Sequence, residues 1–382
     1  MKRQIVHIDL DTFFVSVERL LNTSLLGKPL LIGGNSDRAV VASCSYEARQ
    51  YGVYAAMPMR LAKRLCPEAI ILRGDMEQYS KYSILVTEII KERVPLYEKA
   101  SIDEFYIDMT GMDKFLGAYK YAHELRSTII HESGLPLSMG FSQNKTVSKI
   151  ATGEAKPNGE KQVGIDMEKD FLSPLSIKKI PMLGDKTYQL LRSMGVEKIK
   201  TLQSMPVALM EYVLGENGKS IWLKANGIDN NPVVQYNEQK SISTETTLEQ
   251  DTTDIQYLKS LLLAMCEKLG YELRQQGKLT QCITIKIRYS NFDTHTQQVT
   301  VPFTSLDQDL IRYVLELFNS AFQRRMLIRL IGVRLSKLVQ GNYQIDLFND
   351  TKEKIDLLKA IDKINTKYGT RTIRRANSEK YR

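Results

Sequence analysis

The chain of 382 residues is long enough for two to four domains, and 43% hydrophobic with 25% charged residues supports real cores and excludes a disordered or collagen-like chain. Four cysteines and four histidines lie scattered, which excludes a disulfide framework, a zinc ribbon and a histidine-based centre, so any metal here needs oxygen ligands. Lys plus Arg exceed Asp plus Glu by 53 to 44, and the resulting +9 biases the partners toward polyanions such as nucleic acid.

The first segment, QIVHIDLDTFFVSVERLL, changes period from a buried strand over Ile5 to Leu10 to a helix carrying Phe13, Phe14, Val17, Leu20 and Leu21. His7, Asp9 and Asp11 break its apolar stretch, so it is not a signal peptide, no membrane span is expected, and the chain is expected to be cytoplasmic. A strand PLLIGG, then AVVASCS running into EARQYGV, and the amphipathic helix SKYSILVTEIIKERV follow. YEKASIDEFYIDMTG gives two strand-like arms around Ser101 to Glu104, YAHELRSTIIHESG a helix ended by Gly134, LPLSMGFS a strand, VSKIATGEA a helix and KPNG a turn. This alternation predicts an α+β multidomain chain whose catalytic body is interrupted by a smaller insertion between about residues 20 and 75. SIKKIPMLGDKTYQLLRSMGVEKIKTLQSM and MEYVLGENGKSIWLKANGID read as a small helical module, with the lone Trp222 in its core. Val233 to Gln250, which contains SISTETT, reads as an exposed linker. Beyond it, two helices and alternating strands in LTQCITIKIRYSNFDTHTQQVTVP and MLIRLIGVRLSKL predict a small open sheet backed by helices.

Chemistry concentrates in carboxylates at strand ends. Asp9 closes one strand, and Asp103 with Glu104 lies in a second strand-like element. Hard divalent cations prefer such oxygen ligands and share them with substrate phosphates, which suits phosphoryl transfer. Taken singly, Asp-x-Asp and Asp-Glu pairs are common on solvated surfaces. Tyr46 and Arg49 stand three residues apart at a helix start, where a phenol and a guanidinium can meet one anion, and Lys156 precedes a Pro-Asn-Gly turn that can aim its ammonium.

VHIDLDTFFVSVE, SYEARQYGV, SIDEFYIDMTG and AKPNG, in this order, resemble the motifs of Y-family DNA polymerases, and SYEAR resembles their DNA polymerase IV branch. The resemblance covers almost the whole chain. It implies a palm over residues 1–20 and 75–165, fingers over 21–74, a helical thumb with a helix-hairpin-helix over 166–232, a linker over 233–245, a little finger over 246–340, and a clamp-binding peptide with a basic tail over 341–382. The activity it implies is template-directed, low-fidelity translesion synthesis, adding deoxynucleotides to a primer 3' end. By the same resemblance, Asp9, Asp103 and Glu104, with the backbone carbonyl of Leu10, bind two magnesium ions (Mg2+). Tyr46, Arg49 and Lys156, with Ser43 beside them, hold the deoxynucleoside triphosphate, and Phe14 crowds the sugar's 2' carbon as a steric gate. Asp11 receives no such role and reads as a cap of the following helix. A DNA-binding accessory protein with a dead palm and a nucleotide cyclase are the competing readings. Intact site residues disfavour the first, and the thumb-like hairpin and little-finger strands disfavour the second.

Three further expectations follow. Lys286 and Arg288 on one strand, with Arg324, Arg325, Arg329 and Arg334 flanking the last strand, are expected to contact phosphates of a primer-template. Gln344-Ile345-Asp346-Leu347-Phe348 resembles a peptide that docks on the replication sliding clamp, Gln344, Leu347 and Phe348 being the anchors of an otherwise monomeric enzyme. Met182 stands where the family's hairpin often has its first glycine, and the tail with Arg371, Arg374, Arg375, Lys380 and Arg382 reads as solvated and disordered.

Overall fold

Val6, Ile8 and Leu10 alternate with His7 and Asp9, which makes Ile5–Leu10 a strand, β1, with one apolar face. It is central to the first of two compact units, residues 1–237 and 238–382; the computed structural model describes residues 3–112, 117–235, 238–322, 326–341, 351–369, 372–373 and 375–378. The first unit continues through α1 (Phe13–Leu21), β2 (Leu30–Gly33), β3 (Val41–Cys44), α2 (Tyr46–Gln50), α3 (Met59–Leu65), β4 (Ile70–Leu72) and α4 (Met76–Arg93). Next come β5 (Tyr97–Lys99), β6 (Glu104–Asp108), α5 (Ala118–Ser133), β7 (Leu137–Ser142), α6 (Lys145–Ala155) and β8 (Glu160–Gln162). It ends in the helices α7 (Glu168–Leu172), α8 (Asp185–Ser193), α9 (Ile199–Ser204), α10 (Val207–Leu214) and α11 (Glu216–Ala225).

The main sheet has the order β5-β6-β1-β7-β8, with β1 antiparallel to both neighbours. Ile8 lies between Phe105 and Met139, and this apolar row packs with Phe13, Val86, Ile90 and Ile129 from α1, α4 and α5. Each such buried side chain stabilises the fold by about 1.5–3 kcal/mol. The opposite face is polar: Asp9 stands between Glu104 and Ser138, and His7 between Tyr106 and Gly140. Helix α6 crosses this face at Gly140, where a Cβ would meet the Ser148 carbonyl oxygen at 2.0 Å and the Thr152 nitrogen at 2.5 Å. Only glycine permits that approach, and the approach delivers the lysines of α6 to the strand ends. Residues 21–74 carry a separate sheet, β3-β2-β4, around Leu31, Val41 and Met59. Trp222 donates its indole N–H to the Met205 carbonyl (2.8 Å) and packs against the core of the helical segment, as its composition predicts.

The second unit comprises β9 (Ser241–Thr252), α12 (Ile255–Gln275), β10 (Lys278–Tyr289), β11 (Thr294–Thr304), α13 (Asp307–Ala321), β12 (Ile328–Gln340) and α14 (Thr351–Tyr368). Its antiparallel sheet runs β11-β10-β12-β9; Ile283, Ile285, Ile331 and Val333 face Leu262, Leu269 and Phe318 of α12 and α13. The alternation turns Lys286, Arg288 and Arg334 to the other face, where Lys286 pairs with Glu245 (2.7 Å) and the Arg288 Nε donates to Thr294 Oγ1 (2.8 Å).

One expectation is corrected. SISTETT is not linker: it opens β9, paired along β12, because Ile242, Thr244 and Leu248 alternate inward even though the segment is mostly polar. In the tail, the described residues Thr366 to Gly369, Thr372, Ile373, Ala376 and Asn377 are exposed, Arg375 is half-buried and Ser378 is buried; the helix ahead of it is packed. Ile355 and Leu358 of α14 pack against Leu306, Asp362 forms a two-pronged pair with Arg274 (2.6 and 2.9 Å), and the Arg375 N–H donates to Glu267 (3.1 Å). Net basicity concealed this apolar spacing. Gln344 to Phe348, Arg324, Arg325, Arg371, Arg374, Lys380 and Arg382 lie outside the described residues. Among the described residues no helix is long and apolar enough to cross a membrane.

Candidate active site

The polar row across β6, β1 and β7 sets the site. Asp9 and Glu104 are direct cross-strand partners, and the Leu10 N–H donates to the Asp103 carbonyl (3.0 Å), so Asp9, Leu10, Asp103 and Glu104 meet where the two strands end. The Ser101 hydroxyl donates to the Asp103 carboxylate (2.6 Å) and accepts the Glu104 N–H (3.0 Å), which shapes the turn carrying both acids.

Each carboxylate has its own partner. Lys149 holds both oxygens of Glu104 (2.5 and 2.6 Å), and Lys156 holds Asp9 (2.5 Å). Among the described residues, no three His, Cys, Asp or Glu side chains converge as a metal cage. The donor set nevertheless fits a hard divalent cation. It is all oxygen, and the sheet register with the turn at Ser101 brings Asp9, Asp103 and Glu104 to one strand end. Burial pushes the Asp9 carboxyl up to about 6 against the pull of Lys156, and the charges of Glu104 and Asp103 raise it further. His7, on the same face, is buried and shares a hydrogen bond with the Thr152 hydroxyl (2.9 Å); burial and then Lys149, Lys156 and Lys145 hold its pKa well below the usual value, so the ring is neutral.

The expected nucleotide-binding groups divide into two sets. Ser45 caps α2 by accepting the Ala48 N–H, and the Arg49 guanidinium lies over the Tyr46 ring at 4.8 Å from its centroid. Ser43 sits half-buried on β3, just before this helix. Lys156 ends α6 and points back at Asp9. Phe14, on the first turn of α1, stacks on Tyr79 of α4 at 4.3 Å and 12°, and the Tyr79 hydroxyl donates to Glu18 (2.6 Å), so the ring has a rigid wall behind it.

Asp11 corrects its sequence reading. Thr12, in the left-handed region at φ 43°, occupies the cap position of α1, and no side chain caps that helix. The Asp11 carboxylate instead accepts the Tyr46 hydroxyl (3.2 Å), the Ser138 hydroxyl (2.8 Å) and the Asn158 N–H (2.6 Å). Sequence reasoning also passed over Lys149 and Ser138. Lys149 lies seven residues before Lys156, two helical turns, so both point from one side of α6; Ser138 is the cross-strand partner of Asp9, a pairing no local pattern reveals. In the hairpin, Met182 takes φ +70° and is 87% exposed, so the turn keeps a left-handed residue in spite of the side chain.

Residues 8–153 match the model of the impB/mucB/samB family, and residues 239–347 match that of its C-terminal domain. The chain is 37% identical to a DNA polymerase IV of Dehalococcoides mccartyi over 372 residues, covering 96% of this chain and 95% of the relative. It belongs to the DNA polymerase IV branch of the Y family. A DNA polymerase IV of Treponema denticola is 35% identical over 358 residues, 92% of this chain and 91% of the relative. Among solved structures, a Y-family polymerase chimera of Dbh and Dpo4 superposes with a TM-score of 0.78 at 25% identity, over 89% of this chain and all of the other. An insertion ternary complex of Dbh DNA polymerase gives a TM-score of 0.64 at the same identity and coverage. This Y-family chain is a DNA-directed DNA polymerase with palm, fingers, thumb and little finger, and its work is translesion synthesis.

Proposed function

We propose how this Y-family polymerase carries its reaction. Asp9, Asp103 and Glu104, with the Leu10 carbonyl, would hold two magnesium ions. When bound, the ions supply charge neutralisation at the reacting phosphates and lower the pKa of the primer 3' hydroxyl. Arg49, Tyr46 and Lys156, with Ser43 beside them, bind the triphosphate: the guanidinium and the ammonium neutralise its charge, and the phenol is held for one more hydrogen bond. Lys156 exchanges Asp9 for a phosphate oxygen as the nucleotide arrives. Phe14, stacked on Tyr79, excludes a 2' hydroxyl by occupying its volume.

In this assignment the palm takes residues 1–20 and 75–165, the fingers 21–74, the thumb 166–232, and the little finger starts at Ser241 with β9. Lys286, Arg288 and Arg334 contribute sequence-independent phosphate contacts to a primer-template, and the Gln344 to Phe348 peptide docks a monomeric, cytoplasmic enzyme on its sliding clamp. The observation that carries the reading is the row Glu104, Asp9, Ser138, with Lys156 turned onto its centre.

Single-nucleotide insertion on a primer-template tests it. Arg49→Ala and Lys156→Ala should each raise the KM for the nucleotide about tenfold or more, because each removes a charge-assisted contact, while primer-template affinity stays. An unchanged KM in both variants would contradict the assignment.

A further inference from the structure

Unlike Asp9 and Glu104, Asp11 has no lysine within hydrogen-bond distance and no place in the cross-strand acid row. It is 1% exposed, and Lys156 Nζ stands 4.0 Å away. Its two oxygens are committed to three donors from three separate elements. Oδ1 accepts the Tyr46 hydroxyl of α2; Oδ2 accepts the Ser138 hydroxyl of β7 and the backbone N–H of Asn158, in the turn that follows Lys156. The same turn is gripped from its far side by Arg126 of α5, whose guanidinium donates to the Asn158 carbonyl and side-chain oxygens (both 2.7 Å), and the Gly159 N–H reaches the Ser138 hydroxyl at 3.4 Å. With both oxygens taken, the carboxylate serves as a fixed acceptor at the junction of two segments, one bearing Tyr46 with Arg49 and the other bearing Lys156.

We propose that Asp11 is a positioning residue for the incoming triphosphate, setting the Tyr46 phenol and the Lys156 turn in one geometry without itself touching substrate or metal. The proposal rests on the reading above, in which Tyr46 and Lys156 bind the triphosphate. A carboxylate is needed because it accepts on both oxygens. An isosteric amide has one acceptor oxygen and turns an N–H2 group toward either Tyr46 or the Asn158 N–H; a hydroxyl can rotate to accept it, but a backbone N–H cannot. Either the Lys156 turn loses its acceptor or the Tyr46 bond reverses and the phenol's proton is redirected, and both groups contact the ground state and the transition state alike. That kind of loss raises KM and leaves kcat nearly alone.

The test compares Asp11→Asn, Ser138→Ala, Tyr46→Phe and the Asp11→Asn/Tyr46→Phe double variant in steady-state insertion of one deoxynucleotide, with melting temperature and magnesium half-saturation measured alongside. Asp11→Asn should raise the nucleotide KM about fivefold to tenfold with kcat within about threefold, at unchanged magnesium half-saturation. Its effect should shrink in the Tyr46→Phe background, because part of it acts through the phenol. Ser138→Ala, which removes one donor to Asp11 and the long Gly159 contact but keeps the Tyr46 and Asn158 bonds, should give a smaller rise of the same kind and keeps the test open if Asp11→Asn does not fold. A lower melting temperature with unchanged KM makes Asp11 purely structural and overturns the proposal. A shifted magnesium requirement makes it a metal ligand and also overturns it. If Tyr46→Phe and Lys156→Ala leave KM unchanged, the triphosphate reading itself has failed and takes this proposal with it; if they raise KM and Asp11→Asn does not, only the proposal fails.

Discussion

Asp9 offers a stability measurement that reports on its catalytic assignment. Burial raises its carboxyl to about 6 in the folded chain, from 3.8 when unfolded. A raised carboxyl makes the folded state bind its proton more tightly than the unfolded state does. Its contribution is therefore full below the unfolded value and is lost as pH rises through the folded value. Between pH 5 and pH 7 the loss is on the order of 1 kcal/mol, and over the whole window on the order of 3 kcal/mol. At about 2–4 °C per kcal/mol for a unit of this size, the smaller figure is about 2–4 °C of melting temperature. Thermal unfolding in EDTA at pH 5 and pH 7 should therefore show the parent losing about that much relative to Asp9→Asn, which has no proton to release there. The variant should be the more stable protein at pH 7 and lose its advantage at pH 5. Magnesium should restore the parent at pH 7, do less at pH 5, and do little for the variant, because the ionised carboxylate is the form that binds a cation. Parallel pH profiles for parent and variant, or an equal magnesium effect on both, would refute the reasoning.

Phe14→Ala should admit ribonucleotides far better than the parent, since it leaves Tyr79 as a wall set back from the sugar; an unchanged ratio of deoxynucleotide to ribonucleotide insertion would remove the steric-gate role. Arg274→Leu should destabilise the second unit by about 3–5 kcal/mol in urea, because Asp307 and Asp362 are left buried without their cation; a shift below 1 kcal/mol would show that α14 is held by its apolar contacts instead. Replacing Leu347 and Phe348 with alanine should leave single-nucleotide insertion intact and abolish clamp-dependent stimulation of long extension, and a clamp that still captures the double variant would end the docking assignment.

The acid row was legible because strand period and chemistry coincide: Asp9 lies at the end of β1 and Glu104 opens β6, strands whose alternate residues are apolar, and the same alternation separates Lys286 and Arg288 from the core of the second unit. What escaped was set by tertiary placement. Asp11 looked like a cap because it precedes a helix, yet its donors come from β7, α2 and the turn after α6, far away in the chain. Lys149 was readable from helical spacing to Lys156 but not from its own neighbourhood, since its partner Glu104 becomes adjacent only when Gly140 lets α6 lie against the sheet. SISTETT was misread for a different reason. Its polar composition resembles a linker, and its pairing along β12 is a long-range contact that outweighs local propensity.

Asp9, Asp103 and Glu104 are proposed as the metal-binding acids of nucleotide addition. The most direct test is single-turnover insertion of one deoxynucleotide by Asp103→Ala and Glu104→Ala with magnesium, paired with primer-template binding by fluorescence anisotropy. Rates should fall on the order of a thousandfold with DNA affinity within about threefold of the parent, because the acids act at the reacting phosphate and affinity rests on distributed backbone contacts. Near-parental insertion by either variant would contradict that role.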